Sequence, residues 1–540
     1  MSKESWLAAN TLTPEKIALA RRVVDEVRRG RNLGDSLRAH ALKPGGVLGK
    51  SFLVAAYHEM VADGTMTADT LLFDKLRMKP VRTLSGVTTV TVLTKPYPCP
   101  GKCIFCPTDV RMPKSYLPDE PGAMRGLEHQ FDPYAQTRSR ITQLENLGHP
   151  TDKIELLILG GTWSSYRRDY QEWFVARCFD ALNDIHREGR EEPPEGSVVN
   201  LSELQSQNET AAHRNVGLVI ETRPDEITLD ELRWLRRLGV TKVQLGAQSL
   251  DDHILEINRR GHDAAATQRA VSLLRAAGFK IVLHWMPNLL GATPHSDRAD
   301  FARLWQGFCP DEIKIYPNQL LANAELYQYW QRGEFHPYTT PELIELIADI
   351  KPTIPRYCRV NRVIRDIPST NVVEGNRRTS LRQDIQIEMK KRGTHCECIR
   401  CREVKGKAVH PDSLKLNDLP YQTDSAEERF ISFVTPDDQL AGFIRLSLPS
   451  QNSPATEMSD LENAALIREV HVYGQSLPVG AERAGAAQHA GLGARLLVEA
   501  EAVARERGFA RLAVISAVGT RGYYLNRGFE RGELYLVKAI

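Results

Sequence analysis

The sequence predicts an α/β protein, two sheet domains behind a small helical module. Three observations carry that expectation. From about residue 78, apolar runs of strand length alternate with helical stretches, the pattern of parallel strands with crossover helices in a barrel or a doubly wound sheet. A tail from about residue 413 repeats strand-like runs around a glycine loop that opens a helix. Residues before about 75 show helical periodicity alone. At 540 residues the chain exceeds one ordinary domain, and the expected division is 1–77, 78–367, 368–412 and 413–540.

The composition, 42% hydrophobic and 26% charged, is that of a soluble globular protein. No stretch approaches the run of about 18 apolar residues that a membrane span needs. The start, Met1 to Trp6, has no apolar signal segment, so a cytoplasmic protein with no membrane partner is expected. Nine cysteines in a reducing compartment should be metal ligands or buried thiols. The net charge of +2 hides an uneven distribution: Lys351 to Lys407 holds 15 Lys and Arg against 6 Asp and Glu, leaving −7 elsewhere. That density fits phosphate contacts as well as a solvated face.

Thr13 is the expected N-cap of the first helix and Pro14 suits its first position. Ile17, Leu19, Ala20, Val23, Val24 and Val27 form one apolar stripe that ends near Gly30. The outer face carries Arg21, Arg22, Arg28, Arg29 and Arg31, a basic module whose partner is an anion or nothing.

Val87 to Leu93 is a β-branched run leading into Cys99-Pro-Gly-Lys-Cys103-Ile-Phe-Cys106. Three thiolates spaced in this way can ligate three irons of a 4Fe-4S cluster and leave the fourth iron open. A disulfide pair, a zinc knuckle and chance are the competing readings of the same cysteines. The spacing resembles the radical S-adenosylmethionine superfamily, in which the open iron chelates the cofactor.

Further strand-like runs cover Ile154 to Leu159, Val216 to Ile220, Lys242 to Leu245, Phe279 to Leu283 and Glu312 to Ile315. Helical stretches Thr228 to Leu238 and Ala264 to Ala277, the latter closed by Gly278, lie between them. Functional groups should sit just after the strand ends. There stand Gly160-Gly161-Thr162, where a bare backbone can approach a ligand, and Glu221-Thr222-Arg223, which could hold a ribose and a carboxylate. Gly246-Ala247-Gln248-Ser249 and His284-Trp285-Met286-Pro287-Asn288 occupy equivalent rims.

The connector carries His395-Cys396-Glu-Cys398-Ile-Arg-Cys401. Three soft ligands so close favour a structural Zn2+, with a fourth ligand from His395, Cys309 or Cys358. Buried reduced thiols and a second iron–sulfur cluster are the alternatives.

In the tail, Phe430 to Val434, Leu440 to Leu446 and Ile467 to Val472 read as strands. After the loop Leu477 to Ala487, Gln488-His489-Ala490-Gly491-Leu492-Gly493-Ala494 runs into an amphipathic helix, Leu496 to Arg507, capped by Gly508. Free N–H groups and the positive dipole end at such a loop suit a pyrophosphate. A further strand, Leu512 to Ile515, precedes Tyr523-Tyr524 and a closing strand. This order resembles the GNAT acetyltransferase fold, whose loop holds the pyrophosphate of coenzyme A. Either tyrosine could then protonate a thiolate leaving group, or the pair could pack.

A radical cluster loop joined to a coenzyme A-binding domain resembles the Elongator catalytic-subunit family of tRNA-modifying enzymes. Matching stretches include Cys103-Ile-Phe-Cys106-Pro107, Asp132-Pro133-Tyr134, Gly160-Gly161-Thr162, Glu221-Thr222-Arg223-Pro224-Asp225, Gly246-Ala247-Gln248-Ser249, Arg365-Asp366-Ile367-Pro368, His471-Val472-Tyr473-Gly474, Gln488-His489 and Gly519-Thr520-Arg521. They span nearly the whole chain. The chain departs from eukaryotic members in its short first cysteine gap and in its full CxCxxC group, which speaks for structural zinc rather than catalysis there.

The resemblance implies a partial (β/α) barrel of the radical S-adenosylmethionine type followed by a GNAT-type domain. It implies a wobble uridine of tRNA as substrate, met through the anticodon stem-loop, and 5-carboxymethyluridine as product. Cys99, Cys103 and Cys106 would hold the cluster, with S-adenosyl-L-methionine beside Gly160, Gly161, Thr162, Glu221, Arg223 and Gln248. Acetyl-CoA would be the co-substrate, and a radical formed on its methyl would add to uridine C5 before water cleaves the thioester. Gln488, Gly491, Leu492, Gly493 and Ala494 would line its pyrophosphate, and the strand Glu469, Val470, His471, Val472 its pantetheine. Lys153 would reach the acetyl-CoA and Tyr524 would assist thiolate departure. The arginine-rich first helix and the 351–407 region would bind tRNA phosphates.

The competing activity is a protein lysine acetyltransferase with a structural iron–sulfur cluster. A nucleic-acid-binding scaffold is a third class, which needs neither cofactor signature. The sequence leaves open a homodimer, accessory subunits and the electron donor.

Overall fold

The computed structural model describes residues 11, 13–41, 48–78, 83–185, 193–405, 407, 409–474 and 491–540. Among the described residues the N-terminal module packs the helices α1 (Pro14–Arg28), α2 (Leu33–Ala39), α3 (Lys50–Ala62) and α4 (Thr70–Leu76). Thr13 caps α1, its hydroxyl accepting from Lys16 N at 3.3 Å, and Pro14 takes the first helical position. Ala20, Val23, Val24 and Val27 are buried against Phe52, Leu53 and Tyr57 of α3.

Seven parallel strands then follow in sequence order: β1 (Thr88–Leu93), β2 (Lys153–Leu159), β3 (Arg214–Thr222), β4 (Lys242–Gln248), β5 (Lys280–Trp285), β6 (Glu312–Ile315) and β7 (Arg359–Arg362). Among the described residues each pairs only with its neighbours in the chain, so β1 and β7 are edge strands and the barrel is partial. The helices Arg168–Asn183, Leu229–Arg237 and Ala264–Ala276 lie among the connections and bury the outward side chains. In β2 the alternation is visible: Ile154, Leu156 and Ile158 are buried, while Lys153, Glu155, Leu157 and Leu159 face an interior cavity.

The second sheet is mixed and ordered β13 (Glu530–Arg531), β14 (Leu536–Ala539), β12 (Arg511–Val514), β11 (Ala464–Val472), β10 (Leu440–Pro449), β9 (Ala426–Val434) and β8 (Lys415–Gln422). β11 runs antiparallel to β10 along its length but pairs with β12 only over Ala464 to Ile467. From Arg468 to His471 its other edge therefore has no strand partner among the described residues. The helix α5 (Leu492–Glu506) packs on β9, β10 and β11.

This sheet lies across the N-terminal ends of β5, β6 and β7. Arg468 on β11 donates to Asp311, just before β6, and to Phe279 O, just before β5. Lys280, the first residue of β5, pairs with Glu469, and Arg445 Nε donates to Glu469 Oε2 at 2.8 Å. Arg359, the first residue of β7, donates to the Tyr473 hydroxyl at 3.0 Å.

Among the described residues no helix is long and apolar enough to cross a membrane.

Candidate active site

The cysteine loop follows β1 at the C-terminal rim of the barrel. Cys99, Cys103 and Cys106 all line one cavity of about 2010 Å3 that fills the barrel and reaches the second sheet. Cys99 Sγ lies 3.5 Å from Thr162 Oγ1, and Arg260 donates to Cys103 Sγ at 3.5 Å. Three thiolates on one loop that face one cavity can hold three irons and leave a fourth open, so the donor set fits the 4Fe-4S reading.

The glycine pair after β2 is built for close approach. Gly160 has φ 146°, and a Cβ there would meet Thr94 Oγ1 at 1.7 Å; Gly161 follows at φ 91°. Arg223 is held by Asp225, Nη2 to Oδ2 at 2.7 Å, while its buried Nη1 has no partner. A Cβ on Gly101 would lie 2.5 Å from that nitrogen, so the bare glycine lets Arg223 rest on the cysteine loop. Glu221 accepts from the Tyr116 hydroxyl at 3.4 Å, and Gln248, in the left-handed region at φ 73°, keeps a buried Oε1 without a partner. Thr162, Glu221, Arg223 and Gln248 all line the cavity beside the three cysteines.

The expected rim at His284 to Asn288 lies at the C-terminal end of β5, where His284 and Met286 line the cavity. His284 points into the barrel lumen, its Nε2 3.0 Å from Gln244 Oε1. Trp285 turns outward and donates to Asp300 at 2.8 Å, and Asn288 exchanges hydrogen bonds with Asn318. Strand alternation puts only every second residue inside.

At the other end of the cavity, Gly491 (φ 65°) opens α5, and Gly491, Gly493 and Ala494 face inward. A Cβ on Gly493 would lie 2.6 Å from the Tyr523 hydroxyl. Leu492 is buried in the core rather than against the cavity. Gln488, and the loop from Leu477 to Ala487, lie outside the described residues. Glu469, Val470, His471 and Val472 line the cavity, as do Tyr523 and Tyr524. Burial raises the Tyr524 hydroxyl above its ordinary range, which keeps it a proton donor. Burial lowers the Lys153 ammonium, which also lines the cavity.

The expected second metal site is drawn together: Cys396, Cys398 and Cys401 offer sulfurs within 4.8 Å of one another, the spacing one zinc ion requires. Of the three expected fourth ligands, His395 is 81% exposed beside Glu397, and Cys309 Sγ donates to Trp305 O. Cys358 abuts the trio, its carbonyl accepting from Ile399 N at 3.0 Å.

Sequence reasoning missed several cavity residues. Arg260, Lys280 and Arg445 sit in loops or strands with no motif, and their partners lie 14 to 189 residues away in the chain. The basic connector becomes a lip on the β7 edge, where Arg359, Arg362, Arg365, Arg382 and Arg400 line the cavity, the first three paired with Glu403, Asp366 and Glu120. Burial, then Arg382 and Arg359, push Arg400 down to about 10. Arg382 and Arg400 make no ion pair among the described residues, whereas in α1 Arg21 pairs with Asp63 and Glu59, and Arg28 and Arg29 with Asp25.

Comparison with known proteins follows the same outline. The radical SAM superfamily profile matches residues 97–304, and the radical SAM C-terminal domain matches residues 310–391. A tRNA uridine(34) acetyltransferase of Methanocaldococcus infernus is 40% identical over 499 residues, 89% of this chain and 91% of the relative. Elongator complex protein 3 of Danio rerio is 35% identical, covering 86% of each chain. The solved structure of archaeal Methanocaldococcus infernus Elp3 with an N-terminal deletion superposes with a TM-score of 0.72 at 37% identity, covering 84% of this chain and 99% of that one.

Proposed function

Because the chain belongs to the radical SAM acyltransferase family that comprises the tRNA uridine(34) acetyltransferases and Elongator complex protein 3, we propose that it modifies the wobble uridine of tRNA, with acetyl-CoA as carbon donor and 5-carboxymethyluridine as product. The observation that carries this reading is the single cavity in which the cysteine loop and the N-terminus of α5 both open.

Cys99, Cys103 and Cys106 would hold a 4Fe-4S cluster which, with S-adenosyl-L-methionine, supplies the radical that takes a hydrogen from the acetyl methyl. Arg223, with its unpartnered Nη1, would take the cofactor carboxylate, and the glycine pair would let its amino end approach the backbone. Free N–H groups at the start of α5 would receive the pyrophosphate of acetyl-CoA. The edge of β11 from Arg468 to His471, which β12 does not reach, would hydrogen-bond the pantetheine amides as an added strand would. Tyr524, kept protonated by burial, would hand its proton to the departing thiolate. Lys153 would stand near the acetyl group at the start of β2. The arginine lip on β7 would hold anticodon-loop phosphates while a base is splayed inward. The helical module over 1–77 would add a weaker contact, since most of its arginines already have acidic partners. Cys396, Cys398 and Cys401 would hold a structural Zn2+ that fixes the lip to the barrel.

The test is coenzyme A release from acetyl-CoA by the purified protein, with and without tRNA. Release that requires both tRNA and an intact α5 N-terminus is expected. Release indifferent to tRNA would replace this reading with a protein lysine acetyltransferase.

A further inference from the structure

The barrel lumen holds a cation that nothing above employs. Lys314 on β6 is 7% exposed and lines the cavity. Its ammonium donates to Gln244 Oε1, which also receives His284 Nε2, and it lies 5.7 Å from the Tyr316 ring. No carboxylate pairs with it among the described residues; Glu221, also on the cavity wall, accepts from Tyr116, and Glu120 pairs with Arg365. Buried charges are ordinarily paired, because an uncompensated one loses its hydration without return. An ammonium has three donors and Gln244 uses one. The others face the cavity.

The position of Lys314 says which ligand it meets. β6 is the neighbour of the edge strand β7, and Lys314 stands in register with Arg362. A group entering over the arginine lip passes Arg362 and meets Lys314 as the next inward cation. Phosphates are held at the lip by permanently charged guanidiniums, so what passes inward is the neutral base. A donor-only ammonium suits a carbonyl oxygen and opposes an exocyclic amine, the difference between uracil and cytosine at position 4.

Resting on the tRNA reading above, we propose that Lys314, positioned by Gln244 behind the arginine lip, reads the O4 carbonyl of the target uracil.

The experiment compares reconstituted wild-type enzyme and Lys314→Met on two anticodon stem-loop RNAs, one with uridine at the target position and one with the pyrimidin-2-one nucleoside, which lacks O4. Wild type should prefer uridine in kcat/KM by about 10- to 100-fold, the usual worth of one charged hydrogen bond. In K314M the uridine rate should fall and the preference collapse toward unity. A variant that merely folds badly lowers both rates and keeps the ratio, and a kept ratio overturns the proposal. A kept ratio together with a lost preference for acetyl-CoA over S-ethyl-CoA in binding would assign the lysine to the thioester carbonyl instead. Failure of wild type to modify either RNA would sink the tRNA reading itself.

Discussion

Arg468 on β11 donates to both oxygens of Asp311, at 2.6 and 2.8 Å, with both side chains fully buried. The residues are 157 apart in the chain and join the second sheet to the floor of the barrel. Asp311 Oδ1 also lies 3.4 Å from Arg445, and Arg468 reaches Glu428 at 3.0 Å. Removing one member strands the other charges in a fully buried site. Asp311→Ala should therefore cost about 3–5 kcal/mol, read as a lowered midpoint in thermal unfolding. An unchanged midpoint would mean that the two halves do not depend on this network.

Acid should weaken the same region in a defined window. Burial pushes His471 down to about 4 from its usual 6.5. A depressed folded-state value means that the unfolded chain binds the proton first, so stability is full above about pH 6.5 and falls as pH drops toward about 4. The loss over that window is roughly 3 kcal/mol at most. Denaturant titrations across it should show the slope, and His471→Phe should flatten it.

Gly160→Ala would place a methyl 1.7 Å from Thr94 Oγ1 at a backbone angle that favours glycine. The rim must move to accept it. Affinity for S-adenosyl-L-methionine should drop by about tenfold or more, the effect of a misplacement near 1 Å at a binding site, while acetyl-CoA binding holds. Equal loss of both ligands would point to general unfolding.

At the other end of the cavity, Gly493→Ala sets its methyl 2.6 Å from the Tyr523 hydroxyl. Calorimetric titration should show weaker acetyl-CoA binding. Adding Tyr523→Phe removes the clashing oxygen and should recover part of the loss; no recovery would show that the defect lies in the loop backbone.

For RNA, the lip and the first helix make opposite predictions. Arg382→Gln and Arg400→Gln should each lower the slope of log affinity against log salt by about one. Arg28→Gln should change it less, because Arg28 already pairs with Asp25 at 2.7 Å. The reverse ranking would put the RNA on the helical module.

Much of the fold is legible because strands and helices here obey local patterning. The apolar runs of β2 to β6 begin and end within three residues of the observed strands, and Thr13 and Gly278 punctuate their helices as their chemistry requires. β7 escapes because Arg359-Val-Asn-Arg362 is polar, and β8 because it is an edge strand carrying Pro420. The cysteine motif is legible since ligand spacing is a local property.

What the sequence determines by itself is thus the chemistry available in each segment: three thiolates for a cluster, glycines where a backbone must come close, a helix N-terminus for an anion, and a stretch rich in arginine. Tertiary structure alone decides that the second sheet caps the floor of the barrel, that Lys280 and Arg468 meet Glu469 and Asp311 there, and that the cysteine loop and the start of α5 share one cavity. The physical reason is distance along the chain. Caps, turns and periodicity act over a few residues, whereas a buried ion pair or a shared cavity is set by packing between segments that sequence order leaves far apart.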